Sequence, residues 1–262
     1  MQHHQYKINN KMKNVFFLFA FLLSLNLIAQ QTEGTIYYTQ SIKLDIELPE
    51  GQEHLRDLIP SSSDQTKALY FTADKSMYKD VGDSGGLTEI NQESDGTEMQ
   101  VKIVSGSADN RLLKDLANNK MVDQRDFLGK KFLIKGAIPE MTWKITGEQK
   151  KVLDFVCQKA VQTKDSMTTI AWFTPQIPLS NGPDVYGQLP GMILELIMEE
   201  GKRTITATEV NFEPIDKTIL ETPTKGKKVS REAFKKIQEE KMKEMGSSNG
   251  RTVIRMEVDD RG

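Results

Sequence analysis

Cysteine occurs once in the 262 residues, at Cys157, so no disulfide can form within the chain. Histidine occurs only at positions 3, 4 and 54. One Cys and one internal His cannot supply the three or four convergent ligands of a typical zinc or iron site, and no metal or cofactor is expected. The formal net charge is −2. That excludes the basic excess that draws a protein to nucleic acid or to an anionic membrane. Long apolar runs are missing too, with one exception, Val15 to Ile28. No membrane span is therefore expected downstream of it.

That run, VFFLFAFLLSLNLI, is uncharged and shorter than the roughly 20 residues a spanning helix needs. Its length suits the apolar region of a secretory signal peptide. Lys11 and Lys13 supply the positive flank, and Ala29 a small residue before a cleavage point. The expected signal covers residues 1–29, with translation starting at Met12, so the mature chain begins near Gln30. An exported protein of the periplasm or cell envelope, or a secreted one, is the implied localisation.

From Gly34 to Leu48 the residues Ile36, Tyr38, Ile42, Leu44, Ile46 and Leu48 keep an even-numbered register. Alternation of that kind marks a half-buried antiparallel strand. A short amphipathic piece follows at His54 to Ile59. Further strands are expected at KALYFT and SMYK between Lys67 and Lys79, and at Glu98–Val104, Lys120–Arg125, Lys130–Lys135 and Thr142–Thr146. Val152–Thr163 and Met167–Thr174 should pair as a hairpin, as should Met192–Met198 and Arg203–Phe212. Gly129 reads as a hairpin turn. The acidic stretch Asp80 to Gly96 reads as a loop. Ser230 to Met245 carries a helix start, with Ser230 as cap and Glu232 in the first turn. The expected class is mainly β: an antiparallel curved sheet or partly open barrel over residues 30–216. Residues 217–262 are expected to form a linker, a short helix and a flexible tail.

The segment Gly187-Gln-Leu-Pro-Gly-Met-Ile193 resembles the naming motif of the GLPGLI family of exported bacterial proteins. GTIYY at Gly34, LYF at Leu69, WKIT at Trp143, CQKA at Cys157, AWFT at Ala171 and IPLSNGP at Ile177 complete the resemblance, in order and across most of the mature chain. Gln188 and Met192 stand where the family has Gly and Leu, and Asp184 where an aromatic is expected. The resemblance implies no assigned enzyme activity. By fold analogy it implies curved, partly open barrels like those of periplasmic lipoprotein carriers.

No catalytic residues emerge. Cys157 with His54 has the elements of a thiol nucleophile and base, but a strand Cys beside Phe155 reads as a small buried hydrophobe. The carboxylates between Asp80 and Asp95 lack the spacing of a calcium loop. Carboxylate pairs for sugar hydrolysis are recognised by separation in space, which sequence alone does not give. Trp143, Trp172, Phe173 and Tyr186 read as core, or as the lining of an apolar cleft. The loop Ile177 to Gly191 is the candidate site. Asn181-Gly182-Pro183 and Leu189-Pro190-Gly191 are turn signatures, with Pro190-Gly191 expected as the centre of a type II turn. Gly182, Pro183, Tyr186, Gly187, Leu189, Pro190, Gly191 and Trp172 are the candidate binding or docking residues. The function expected is an exported, non-enzymatic binding or carrier protein. Its curved sheet would hold an apolar ligand or a protein segment. The alternatives are an assembly factor docking on an unknown envelope protein, and a hydrolase without a recognisable site. A continuous apolar cavity would favour ligand binding, and a filled core with an exposed apolar ridge would favour docking.

Overall fold

The computed structural model describes residues 32–44, 60–81, 86–94, 97–105, 110–164, 167–246 and 252–257. The expected signal segment and the amphipathic piece at 54–59 lie outside the described residues. So do Asp45 to Leu48, the end of the first expected strand.

Strands run through the chain as β1 (Gly34–Lys43), β2 (Ser62–Phe71), β3 (Lys75–Asp80), β4 (Gly86–Ser94), β5 (Thr97–Ser105), β6 (Arg111–Asp115), β7 (Lys120–Phe127) and β8 (Lys130–Ala137). They continue as β9 (Lys144–Val152), β10 (Phe155–Lys164), β11 (Met167–Thr174), β12 (Met192–Met198), β13 (Arg203–Asn211), β14 (Lys227–Val229) and β15 (Thr252–Glu257). Among the described residues one α-helix, α1, spans Arg231–Gly246. Twelve strands form one sheet in the order β14-β8-β7-β6-β3-β2-β1-β13-β12-β11-β10-β9; β15, β5 and β4 form a second. The class is mainly β, as expected. The large sheet is mixed rather than purely antiparallel, because β14 pairs parallel with β8.

The large sheet is curved but not closed: β14 and β9 end it without pairing to each other. The curvature shows in what the loop between β11 and β12 touches. It is bonded both to β6 and to the segment leading into β9. In a flat sheet those strands, eight places apart, would be separated by about 38 Å at ~4.8 Å per strand. One core joins the two flanks. It contains Ile36, Tyr38, Leu69, Phe71, Tyr78, Leu112 and Met121 from one side and Cys157, Ala171, Phe173, Met192 and Leu196 from the other. Tyr78 meets Tyr38 edge-on at 6.2 Å.

The even register of β1 is real: Ile36, Tyr38 and Gln40 are buried while Tyr37 and Thr39 are partly exposed. Four expectations need correction. The reach read as an acidic loop contains β4, which pairs along its whole length with β5. Its Leu87-Thr88-Glu89-Ile90 alternation is the strand signal that the acidic composition masked. The expected strand from Val152 is interrupted by a turn at Leu153-Asp154, so that β9 and β10 form a hairpin; Leu153 takes φ 51 there. The expected linker contributes β14, and the expected frayed tail contributes β15, parallel to β5. Finally β6, five residues long, went unrecognised in the sequence.

The helix packs by a single aromatic. Phe234 meets Phe127 and Phe132 at 5.9 and 5.1 Å, and Arg125 lies over its ring at 5.5 Å. Ser230 caps the N-terminus as expected: its Oγ accepts from the Ala233 amide at 3.1 Å.

Candidate functional site

The loop from Pro175 to Gly191 lies inside the curve of the sheet. Of its candidate residues, Gly182, Pro183, Gly187, Leu189 and Gly191 are buried and Tyr186 is half-buried. Only Pro190, with its neighbour Gln188, is exposed along the second turn. Trp172 stands apart from these on β11, under the Lys150 ammonium at 4.6 Å, and Lys150 pairs with Glu195 of β12.

The loop is held by side chains from distant strands. Lys114 of β6 donates from Nζ to the carbonyls of Gly182 and Tyr186, each at 2.9 Å. Trp143 donates its indole N–H to the Gly187 carbonyl at 2.9 Å. Gln188 donates to the Pro139 carbonyl and accepts from the Met141 amide, both at 2.8 Å. The Ile193 amide donates to the Asn181 carbonyl at 2.9 Å, which ties the loop to β12.

Pro190-Gly191 does not form the expected type II turn. The Gly191 amide donates to the Leu189 carbonyl at 2.7 Å, two residues back, and Gly191 has φ +155. That is a γ-type turn centred on Pro190. Glycine is still required, for a sharper reason: a Cβ at position 191 would stand 2.2 Å from the Thr174 carbonyl oxygen. The left-handed residue is Gln188, at φ 63, the position where the resembled family has Gly. Asp184, at φ 53, is the loop's other left-handed position.

Between β6 and the loop lies a cavity of about 220 Å³, lined by Lys114, Leu116, Ile138, Ser180, Asn181 and Tyr186 among others. Asn181 has no exposed surface. Its Oδ1 accepts from the Gly182 amide at 2.9 Å, which fixes the amide's orientation. Its Nδ2 has no hydrogen-bond partner. Lys114 is equally buried. Burial pushes its amine down to about 7, against the pull of the Asp184 carboxylate. Asp184 in turn lies 3.7 Å from the Arg203 guanidinium of β13. Asp184 therefore has the buried Lys114 amine and the partly buried Arg203 guanidinium as its charged neighbours, with the cavity on the Lys114 side. This chemistry suits holding a polar group, since a buried donor without an acceptor costs on the order of 1–3 kcal/mol.

Cys157 is buried, and burial pushes its thiol up to about 11, the direction opposite to that of a nucleophile. Among the described residues no three metal-ligating side chains converge. Lys114 and Asn181 escaped the sequence reading. Lys114 sits in a short strand with no period to reveal it, and Asn181 read as a turn former.

The comparisons with known proteins bear on the fold. A family described as a protein of unknown function, Porph_ging, matches residues 161–195. That stretch runs from β10 through the loop into β12. No curated protein matches. Among solved structures the chain is similar to "Structure of PNGF-II in P21 space group", at 16% identity and TM-score 0.50, over 79% of this chain and 33% of that one. It is also similar to "Structure of PNGF-II in C2 space group", at 15% identity and TM-score 0.49, over 78% and 32%. The chain thus spans about a third of the length of PNGF-II, and at such identity the likeness is one of fold.

Proposed function

We propose that this chain is an exported, non-enzymatic binding protein of the bacterial cell envelope, and that its ligand site is the cavity between β6 and the buried loop. The observation that carries the reading is the cavity of about 220 Å³ between β6 and the loop, with Lys114, Ile138 and Tyr186 among its lining residues. The uncharged run Val15–Ile28 with Ala29 supports export, and the GLPGLI resemblance supports an envelope role without enzyme activity. The ligand is a small one. The loop and the core side chains occupy the inner side of the sheet, which leaves no room there for a large apolar cargo.

The docking alternative has the exposed apolar side chains Ile145, Leu153, Val156 and Met167 at the β11-β10-β9 end of the sheet to work with, and little elsewhere among the described residues. The loop presents only Gln188 and Pro190 along its second turn, and α1 turns Phe234 inward. The free edge at β9 is blunted by Lys144 and Lys151 and by an irregular register at Gly147, features that discourage strand addition.

Native mass spectrometry of the protein purified from its own envelope tests the reading. The comparison is wild type against Ile138→Trp, which fills the cavity from its wall. A small-molecule adduct on wild type alone supports the proposal. Its absence from both, or its equal presence on both, removes this cavity as the site.

A further inference from the structure

Resting on the reading of this cavity as a ligand site, we infer that it takes a single neutral sugar ring: its hydroxyls meet the side chains of Asn119, Ser180 and Gln188, and its C–H face lies against Leu116, Ile138 and Tyr186. The wall is mixed, and each part of it sets a requirement. Asn119, Ser180 and Gln188 are its exposed polar residues. Carboxamides and a hydroxyl both donate and accept, so their complement is a ligand whose groups do both. Hydroxyls meet that condition. A carboxylate only accepts and an ammonium only donates.

The wall also offers a charged ligand no accessible counter-ion. Among the lining residues only Lys114 has a side chain that charges near neutral pH. It is buried, and its Nζ donates to the carbonyls of Gly182 and Tyr186. An ion entering the cavity would lose hydration without gaining a partner of opposite sign. A neutral ligand avoids that cost.

The polar groups stand on fixed backbone. Asn118 ties itself to the Asp115 carboxylate through its amide and its side chain, at 3.1 and 3.0 Å. Next to it Asn119 takes φ 51, a left-handed conformation that Asn tolerates, and lines the cavity instead. Gln188 is clamped between the Pro139 carbonyl and the Met141 amide at 2.8 Å each, which leaves one N–H and one lone pair of its carboxamide. Groups held in this way lose little freedom when a ligand binds.

The rest of the wall is largely apolar: Ile138 is buried, and Leu116 and Tyr186 are half-buried. A sugar ring presents both chemistries at once, C–H groups across a face and hydroxyls around the rim. The size fits as well. About 220 Å³ is roughly seven water volumes at ~30 Å³ each, room for one such ring and not for two.

The test is a calorimetric titration of the isotope-labelled, exported protein with glucose, galactose, mannose and N-acetylglucosamine, and with glucuronate and glucosamine as charged counterparts. The indole N–H signal of Trp143, bonded to the carbonyl of the lining residue Gly187 at 2.9 Å, reports occupancy independently. Expected are saturable binding of at least one neutral sugar, a shift of that signal, and weaker binding of both charged sugars. Asn119→Gly keeps the left-handed backbone and deletes the carboxamide, and Ser180→Ala deletes the hydroxyl. Both positions are exposed, and each change should weaken the sugar about tenfold. The matching disaccharide is the second arm. Tighter binding than the single sugar assigns the ring to the end of a glycan; no gain assigns it to a free sugar. Charged sugars that bind as tightly as neutral ones overturn the assignment, and so does an affinity unchanged in both variants. No response to any sugar, with a small-molecule adduct still found on wild type and not on Ile138→Trp, overturns the sugar and leaves the cavity as a ligand site. No response and no adduct overturns both readings.

Discussion

Position 191 shows how backbone geometry dictates a side chain in this molecule. The Thr174 carbonyl oxygen occupies the place where a Cβ would stand. Gly191→Ala should therefore destabilise by about 1–3 kcal/mol or more, because the backbone itself must move. Position 188 has two opposing effects. Gln188→Gly relieves a left-handed conformation but gives up two side-chain hydrogen bonds, each worth about 0.5–1.5 kcal/mol. The two nearly cancel, so its urea midpoint should stay close to that of wild type while that of Gly191→Ala falls clearly. A Gly191→Ala midpoint equal to wild type would show that the approach to Thr174 is wrong. Cys157 gives a second residue-scale prediction. A thiol held at about 11 has little thiolate at neutral pH. Native labelling should be slow and should speed up only under unfolding conditions; rapid labelling of folded protein would contradict its burial.

Among the elements, α1 is attached to the sheet through few contacts. Phe234 alone carries the aromatic contact to β7 and β8. Phe234→Ala should expose the helix amides to hydrogen exchange while leaving the protection of β12 and β13 unchanged. Loss of protection throughout the large sheet would mean that the helix is integral to the core. The elements also divide by how legible they were. Met167–Thr174, Met192–Met198 and the start of β13 could be read to the residue, since each pairs an apolar run with a polar turn. β7 and β8 were visible through Gly129, whose φ of 74 follows Leu128 at 53, as a tight hairpin turn requires. β14 and β15 were not legible. Each is a parallel partner supplied by a segment remote in sequence, and such pairing leaves no local period. The loop was recognised as the special segment from its Pro and Gly. Its burial was not recognised, because burial depends on β6 and on Trp143 reaching it from far along the chain.

At the scale of the whole molecule, a sheet that does not close has been filled by its own loop, and the filling is partly polar. Lys114 and Asp184 are buried, and Arg203 beside Asp184 is partly buried. This makes stability respond to pH. Lys114 is depressed on folding from 10.5 to about 7. Between those values the unfolded chain binds the extra proton and the native one does not. The contribution of this group to stability therefore rises with pH from about 7 and levels off near the unfolded value. Lys114→Met, which keeps the volume and cannot titrate, should flatten that rise in a series of denaturation midpoints. A rise that persists in the variant would assign it to other groups.

The central claim is that Lys114 is a buried amine that holds the loop from β6. Nuclear magnetic resonance of the Lys114 side chain follows this directly, as a pH titration. The account predicts a midpoint near 7. A midpoint near 10.5 would contradict it.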